Sequence, residues 1–516
     1  MTKTQRWLGL APALWLTLLL LGASPARAAD WLWVESKHFR VLSSAAEGRA
    51  VRKVQDLERV HEAMLLALRV EEKLARPPFT IVLSDDPDII GQAVPHLRQK
   101  GMAGVFMARD DGPVAFAVNY PGQESFSGSV LFHEYAHRVQ AQYARGAYPV
   151  WFVEGFAEFF GSSRVLDNGV EVGAARPSNA LVLNERNWLP PEQLLKPSFQ
   201  ATGQQDADDR HFAIFYAQSW LLTHYVLKDP ARKERFAEYF RRIGAGEDPL
   251  TAFEPATGIA LNRLNKLLRG YMEAVYASEY PVGPAAEVRV TRLTREEGES
   301  ELDALILRGV PEAAYGKVVL ERLRQRVAKA GGERASERMR LALAYAEIRY
   351  GDVDRALDLL APWGQRADAP FEANRLLGWA WQTAAATSSG TERTEALDVA
   401  RIKLMAAYKQ RRNDAPTLYQ LARVLYGQGP GANLSNAADT ASLLDPQVSN
   451  YAYLAVAVHL QAGNRDKALP PLQSLASNPH GGEGTERARA ALAALQSNQD
   501  TDTVLALLNG SKKATP

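Results

Sequence analysis

The stretch that most constrains the fold of this 516-residue chain lies between residues 126 and 160. It contains the run His-Glu-Tyr-Ala-His at 133–137 and, after sixteen intervening residues, Glu154. On a helix, His133 and His137 project from one face about one turn apart, so both imidazoles can bind the same metal ion. A second helix that returns with Glu154 would supply a third ligand. The spacing therefore predicts two neighbouring helices joined by a metal site.

The residue types in this stretch also indicate a chemistry. Zinc held by two neutral imidazoles and a carboxylate keeps a fourth position open and brings the pKa of a water molecule toward neutrality. Glu134 is rotated by about 100° from His133 around the helix, which makes it a poor ligand. It is better placed as a general base that accepts a proton from water and delivers it to a leaving amine. The alternative is a pair of structural histidines beside unrelated carboxylates.

The run Trp-Phe-Val-Glu-Gly-Phe-Ala-Glu at 151–158 completes the pattern. Together with 133–137 it resembles the gluzincin metallopeptidases, in particular the peptidase MA-like domain of bacterial exported proteins, and it is similar to the catalytic domain of the aminopeptidase N group. The resemblance implies that His133, His137 and Glu154 bind Zn²⁺ and that Glu134 is the general base. It also implies a thermolysin-like α+β domain, with a small mixed sheet and helices.

A further part of the resemblance concerns Tyr216. The run Tyr-Ala-Gln-Ser at 216–219 resembles the segment in which those enzymes carry a tyrosine that stabilises the oxyanion of the tetrahedral intermediate. The family has Lys-Gly where this chain has Gln-Ser, so a role for Tyr216 as a core aromatic stays open. His211 and His224 are alternatives for the same task.

Two other features bear on the site. Glu158 follows Glu154 by one helical turn, and either holds a ligand histidine in place or forms a surface salt bridge. The related aminopeptidases carry a Gly-x-Met-Glu-Asn segment whose glutamate captures the free amine of the substrate. The closest match here, at 101–104, has no acidic residue. Endopeptidase action is therefore favoured over removal of N-terminal residues.

Strand and helix patterns alternate before the metal motif. Apolar alternation or β-branched runs predict strands within 31–43 and at 79–83, 104–108 and 114–120, and residues 45–69 read as an amphipathic helix. Residues 114–120 are the predicted edge strand, to which an extended peptide could add; the alternative is that these strands only pack the helices. The proline-containing segment 165–205 is expected to cover the cleft.

A repeat organises the second half of the chain. Pairs of small or apolar residues recur at separations of 34, 44 and 34 residues, at Leu343-Ala344, Leu377-Gly378, Leu421-Ala422 and Ala455-Val456. This period resembles tetratricopeptide repeats, which are stacked helix pairs, with about ten extra residues near Thr387–Glu395 in the middle unit. A generic helical bundle is the alternative. The predicted organisation is a peptidase domain at 29–280, a linker at 281–300 around Pro281, Gly283 and Pro284, and an all-α tetratricopeptide-like solenoid at 301–516.

The N-terminus and the composition predict an exported protein. Residues 1–28 combine early basic residues, an apolar run and Ala26-Arg27-Ala28, the layout of a cleaved signal peptide, with an uncleaved anchor as the alternative. The chain has no cysteine, which excludes a lipoprotein anchor, disulfides and thiolate ligands. We therefore expect a bacterial periplasmic or secreted protein with no membrane span after signal cleavage. A net charge of +1 gives no reason to expect a nucleic-acid partner.

These observations favour an exported zinc-dependent metallopeptidase that cleaves a peptide or protein substrate and holds a protein partner on its helical repeats. An alternative is a periplasmic tetratricopeptide-repeat scaffold whose zinc peptidase domain is structural or inactive. Metal-assisted hydrolysis of a non-peptide bond, such as one in cell-wall material, is a third hypothesis. The presence of Glu134 favours an enzyme, because a structural metal site needs no base.

Overall fold

A computed structural model of the chain describes residues 31–100, 102–120, 124–144, 148–185, 187–196, 205–309, 312–426, 431–476 and 482–510. The predicted signal peptide lies outside the described residues, as do residues 197–204 of the segment expected to cover the cleft. Within the described ranges, no helix is both long and apolar enough to cross a membrane.

The first half is built on a six-stranded mixed sheet with the strand order β4-β5-β3-β2-β1-β9. β3 pairs in parallel with β2 and β5, and the other neighbours are antiparallel. The strands are β1 (Trp31–Glu35), β2 (Phe39–Ser43), β3 (Phe79–Ser84), β4 (Gly104–Arg109), β5 (Gly112–Val118) and β9 (Arg289–Leu293). A second sheet contains β6 (Arg164–Val165), β7 (Gly169–Val172) and β8 (Ser278–Pro281).

The sheet is covered on both faces. Successive side chains of a strand point to opposite faces, and here Ile81 and Ala115 belong to one hydrophobic core while Val82 and Phe116 belong to another. Burial on both sides explains why β3 and β5 are almost continuously apolar, in contrast to the half-buried alternation expected for a sheet with one solvated face.

The prediction that residues 114–120 form the edge strand is wrong. Residues 114–118 lie in β5, which is paired on both sides, and the edge is β4. The turn at Asp110 and Asp111 folds β4 antiparallel onto one side of β5, while β3 occupies the other side. Among the described residues, the edge at this end of the sheet is therefore Gly104–Arg109.

The segment 281–300, which the sequence indicates as a linker, is part of the folded core. β9 pairs antiparallel with β1 over five residues and forms the other edge of the sheet. The breaker residues near 283 end β8, but the chain then returns to the sheet before it enters the second half.

Ten α-helices in the described residues accompany these two sheets. They are α1 (Glu47–Leu68), α2 (Ile89–Ala93), α3 (Glu124–Tyr143), α4 (Val150–Gly161), α5 (Pro177–Asn184), α6 (Pro191–Leu195), α7 (Gln205–Leu227), α8 (Pro230–Gly244), α9 (Pro249–Thr257) and α10 (Leu264–Tyr271). α4 packs between α3 and α7. The segment expected to cover the cleft instead forms β6, β7, α5 and α6, and none of its described residues lines the cleft considered below.

In the described residues after β9, every regular element of the second half is a helix. Its helices are α11 (Arg295–Gly309), α12 (Ala313–Lys329), α13 (Glu337–Tyr350), α14 (Val353–Gly364), α15 (Phe371–Thr387), α16 (Gly390–Gln410), α17 (Ala415–Tyr426), α18 (Ala432–Leu444), α19 (Ser449–Gln461), α20 (Arg465–Ala476), α21 (Gly482–Gln496) and α22 (Thr501–Asn509). The four repeated pairs of residues lie at buried positions of α13, α15, α17 and α19. The extra residues of the middle unit lengthen α15 and α16.

The two halves share a hydrophobic core. Trp33, Val82 and Phe116 from one face of the sheet pack in the same cluster as Ile306 of α11 and Leu343 of α13. The fold is therefore a mixed α+β arrangement in which a small sheet is enclosed by helices from both halves of the chain. This confirms the predicted fold class at the level of a small mixed sheet accompanied by many helices.

Candidate metal centre

The three predicted ligands come together. His133 and His137 on α3 and Glu154 on α4 form a group whose ligand atoms all lie within 4.8 Å of one another, and which could hold a metal ion. Glu154 Oε2 is 3.6 Å from His133 Nε2 and 3.7 Å from His137 Nε2. Ligand atoms at the corners of a tetrahedral zinc site lie roughly 3.4 Å apart, given bonds of about 2.0–2.2 Å. The donor set and its spacing therefore fit zinc.

Close helix packing places these side chains. A Cβ atom at Gly155 would overlap the backbone carbonyl of Ser219 and the hydroxyl of Thr223 on α7. A Cβ at Gly161 would meet the Arg176 guanidinium and lie 3.0 Å from His133 Cβ. Both glycines of α4 are thus required for the close approach of α4 to α3 and α7, which brings Glu154 to the histidines.

Glu158 is a neighbour of His133. Its Oε1 lies 3.0 Å from His133 Nδ1, and the carboxylate also accepts hydrogen bonds from Arg176 Nη1 at 3.2 Å and Asn179 Nδ2 at 3.1 Å. A carboxylate on Nδ1 favours the tautomer with the proton there, which leaves Nε2 free to bind a metal. Of the two roles left open by the sequence, the structure shows the contact with His133.

The electrostatics of the group favour a bound cation. Burial would lower the pKa of His133, but hydrogen bonds to Glu154 and Glu158 raise it to about 10. Burial would raise the pKa of Glu158, whereas the hydrogen bond from His133 and the charge of Arg176 lower it to about 2. The buried carboxylates of Glu154 and Glu158 thus favour a positive charge at His133. A divalent cation bound by the imidazole would take the place of the proton that otherwise supplies this charge.

The other two predicted site residues lie on the same cleft. Glu134 and Tyr216 are half-buried, and both line the cavity that is also lined by the three predicted ligands. The ring centroid of Tyr216 is 6.3 Å from that of His133. Burial, followed by the charges of Glu154 and Glu158, raises the pKa of Tyr216, so its hydroxyl remains a hydrogen-bond donor.

The alternatives to Tyr216 lie elsewhere. His224 is fully buried and its two ring nitrogens contact Tyr271 Oη at 2.9 Å and the Tyr276 carbonyl at 3.0 Å. Burial lowers its pKa to about 4, so it is a neutral core residue. His211 is also absent from the lining of the cleft. Gln218 accepts a hydrogen bond from the Leu189 amide at 2.7 Å and is structural.

The cleft has a volume of about 1710 Å³ and is bounded by both halves of the chain. α3, α4, α7 and α8 form one side, β4 borders it, and α18, α19 and α20 form the opposite side. Nothing in the sequence predicted this participation of the second half, because the residues concerned carry no recognisable motif.

A second group, His38, His61 and Glu72, also has ligand atoms within 4.8 Å of one another. His38 Nδ1 is 2.5 Å from Glu58, His38 Nε2 is 3.2 Å from Glu72, and Glu72 also accepts from Lys37 Nζ at 2.7 Å. These contacts describe an ion-pair network in which cationic side chains already satisfy both carboxylates. The sequence did not indicate this cluster, because its members lack ligand spacing along the chain.

Sequence reasoning also missed the partners of Glu158. Arg176 and Asn179 lie eighteen and twenty-one residues beyond it, near the start of α5. Neither residue belongs to a pattern that would mark it. A comparison of the chain with family models, curated proteins and solved structures finds no significant match, so the description of the site rests on its own geometry.

Proposed function

We propose that this protein is a zinc-dependent peptidase of the peptidase MA-like type that cleaves within polypeptides, with tetratricopeptide-like helix pairs in its second half. The observation that carries the proposal is the convergence of His133, His137 and Glu154 on one cleft that is also lined by Glu134. When bound, zinc supplies a Lewis acid that polarises a carbonyl oxygen and lowers the pKa of a water molecule.

The remaining chemistry belongs to side chains of the chain. Glu134 accepts the proton of the attacking water and returns it to the amine that leaves when the peptide bond breaks. The Tyr216 hydroxyl donates a hydrogen bond to the carbonyl oxygen as that oxygen gains negative charge. Glu158 keeps the imidazole of His133 oriented through its Nδ1 atom.

The edge strand β4 supports an extended peptide as the substrate. Five consecutive residues of this strand, 105–109, border the cleft. Because neighbouring side chains in a strand point to opposite faces, a cleft lined by consecutive residues runs along the strand edge rather than over one face. The backbone groups of β4 that face away from β5 can hydrogen-bond to a peptide in the manner of an added strand.

The test combines metal analysis with cleavage. The purified chain should contain about one zinc ion and cut members of a peptide library at internal bonds. Glu134→Gln should retain the metal and lose about 10²- to 10⁴-fold in kcat, the range expected for removal of a general base. His137→Ala should lose both metal and activity.

Glu234→Gln provides a matched control, because Glu234 is an exposed glutamate of α8 that does not line the cleft. Its activity should equal that of the unmodified protein. Full activity of Glu134→Gln would contradict the proposed base, and the absence of any divalent metal would contradict the site. Metal without cleavage of any peptide would favour the scaffold hypothesis.

A further inference from the structure

The cleft has two walls that differ in chemistry. One wall carries the metal ligands and the carboxylates of Glu134 and Glu154. The opposite wall, from the second half, is rich in uncharged hydrogen-bonding side chains: Thr440, Ser442, Gln447, Ser449, Asn450 and Gln473. Its ionisable members are few, namely Arg349, Lys467 and an Asp439–His459 pair with a 2.6 Å contact.

Polar contacts between the two halves hold the second wall in place. Arg138, which directly follows His137, pairs with Asp445 at 2.7 Å, and both side chains are almost completely buried. At the turn between β4 and β5, Asp110 accepts a hydrogen bond from Asn450 at 2.5 Å through its side chain and from Tyr451 at 2.7 Å through its carbonyl. The wall is therefore attached both to the helix of the metal ligands and to the edge strand.

Gln447 differs from the other polar residues of this wall in the state of its side-chain amide. It lies in the turn between α18 and α19, and both its Nε2 and its Oε1 atoms are buried with no hydrogen-bond partner among the described residues. Among the described residues the side chain gives up no hydrogen bond by turning toward a ligand in the cleft, and such a bond would satisfy an amide that is costly to leave buried and unpaired. Gln140, one turn after His137 on the other wall, likewise has a buried Nε2 without a partner in the described part of the chain.

A primary amide is the natural complement of a peptide unit. Its NH₂ group donates to a backbone carbonyl while its oxygen accepts from a backbone amide, and neither bond depends on the sequence of the ligand. Uncharged hydroxyl and amide groups around Gln447 match the same kind of ligand. Edge strand β4 offers further backbone groups along the same cleft.

We propose that the turn and helices at 439–475 form part of the substrate-binding surface, and that an extended segment of another polypeptide lies between them and β4 with its backbone bonded to Gln447. This inference rests on the proposed function for the identity of the substrate. It makes the second half a determinant of the length of peptide that is accepted, because contacts with this wall need residues beyond those that flank the cleaved bond.

The experiment uses the full chain and uncharged peptides of four, eight and twelve residues with the same central sequence. For Gln447→Ala, the ratio of kcat/KM for the twelve-residue peptide to that for the four-residue peptide should fall about tenfold. Gln365→Ala is the matched control, because Gln365 is exposed at the end of α14 and does not line the cleft. Zinc content should be the same in all variants.

A second readout separates this inference from the proposed function. A fluorescein-labelled twelve-residue peptide is titrated with zinc-loaded Glu134→Gln and with Glu134→Gln/Gln447→Ala, and its anisotropy is recorded. An approximately tenfold weaker Kd in the double variant supports the inference even if the wild type cleaves nothing. An unchanged kcat/KM ratio in an active enzyme, or a Kd that Gln447→Ala does not alter, would overturn it, as would the absence of peptide binding.

Discussion

The Arg138 guanidinium and the Asp445 carboxylate form a buried ion pair across 307 residues of sequence, with 2.7 Å between Nη1 and Oδ1. Arg138 follows a predicted metal ligand on α3, and Asp445 ends α18 in the second half. The pair therefore connects the helix that carries both histidines to the wall that faces them.

Loss of one partner of this pair should destabilise the protein strongly. Arg138→Met leaves an uncompensated buried carboxylate, for which we expect a decrease of about 3–5 kcal/mol in the free energy of unfolding. Arg138→Met/Asp445→Leu should lose much less than the sum of the single changes. Urea denaturation measures these differences. Arg401→Met, in the exposed Arg401–Asp398 pair, is the control and should cause no measurable change.

Glu158→Gln should weaken metal binding. The neutral amide holds Nδ1 of His133 less firmly, and loss of such a partner typically reduces metal affinity about 10- to 100-fold. Competition with a chromogenic chelator gives the affinity. Glu171→Gln removes a carboxylate from an ion pair with Arg164 outside the site and should leave the zinc affinity unaltered. Equal affinities of the two variants would contradict the positioning role of Glu158.

Tyr216→Phe should lower kcat by about 10²- to 10³-fold while zinc content and KM change little, because the hydroxyl acts mainly on charge that develops in the transition state. Steady-state kinetics and metal analysis measure both. Tyr225→Phe, on the same helix but outside the cleft lining, is the matched control. A Tyr216→Phe enzyme with wild-type kcat would leave Tyr216 as a packing residue.

Gly155→Ala should disturb the site through packing alone. The added methyl group meets the Ser219 carbonyl and Thr223, and such overpacking costs about 1–3 kcal/mol. Separation of α4 from α7 should also reduce zinc affinity. Gly270→Ala, where the new Cβ has no neighbour within 4 Å, should instead stabilise the helix by about 0.5–1 kcal/mol. Thermal or urea unfolding shows whether each substitution lowers or raises the free energy of unfolding.

Stability should fall as the pH is lowered through the acidic range. Burial lowers the pKa of His224 to about 4 from an ordinary value of 6.5, so between these values the unfolded chain binds a proton that the folded chain excludes. From pH 6.5 to 5 this histidine should remove about 2 kcal/mol from the free energy of unfolding. His61, with a pKa lowered to about 3 chiefly by burial, acts in the same direction.

The slope of stability against pH checks this assignment. His224→Gln cannot titrate and should show a shallower slope between pH 4 and 6.5 than the unmodified protein in urea denaturation. The exposed His96→Gln serves as the control. Parallel slopes for the unmodified protein and His224→Gln would contradict the effect.

The three candidate metal ligands could be predicted because the pattern that identifies them lies within one short stretch of sequence. Helical spacing places His133 and His137 on one face, and Glu154 follows within a single helix connection, so the three residues needed little knowledge of the whole fold. Glu134 required only the same spacing. The structure brings all of them to one cleft, as the spacing predicts.

What the sequence could not predict depends on distant partners. The strand at 104–109 becomes the edge only because β3 occupies the other side of β5, and no pattern within either strand states this. Arg138 and Asp445 are ordinary residue types separated by most of the chain, and Gln447 is one glutamine among many. Pairwise contacts of this kind arise from tertiary packing. Hydrophobic periodicity predicts secondary structure and does not indicate which distant residues meet.

The position of β9 limits how this protein can be cut or recombined. Residues 289–293 close the edge of the strand that begins at Trp31, so a fragment that stops at residue 280 would expose β1 to pairing with other chains. An exchange of the helical half as a cassette would have to join the new sequence beyond Leu293. Even then the incoming helices would need to reproduce the apolar surface that α11 and α13 offer to the sheet. Recombination during evolution would meet the same barrier, so the two halves are expected to be inherited together.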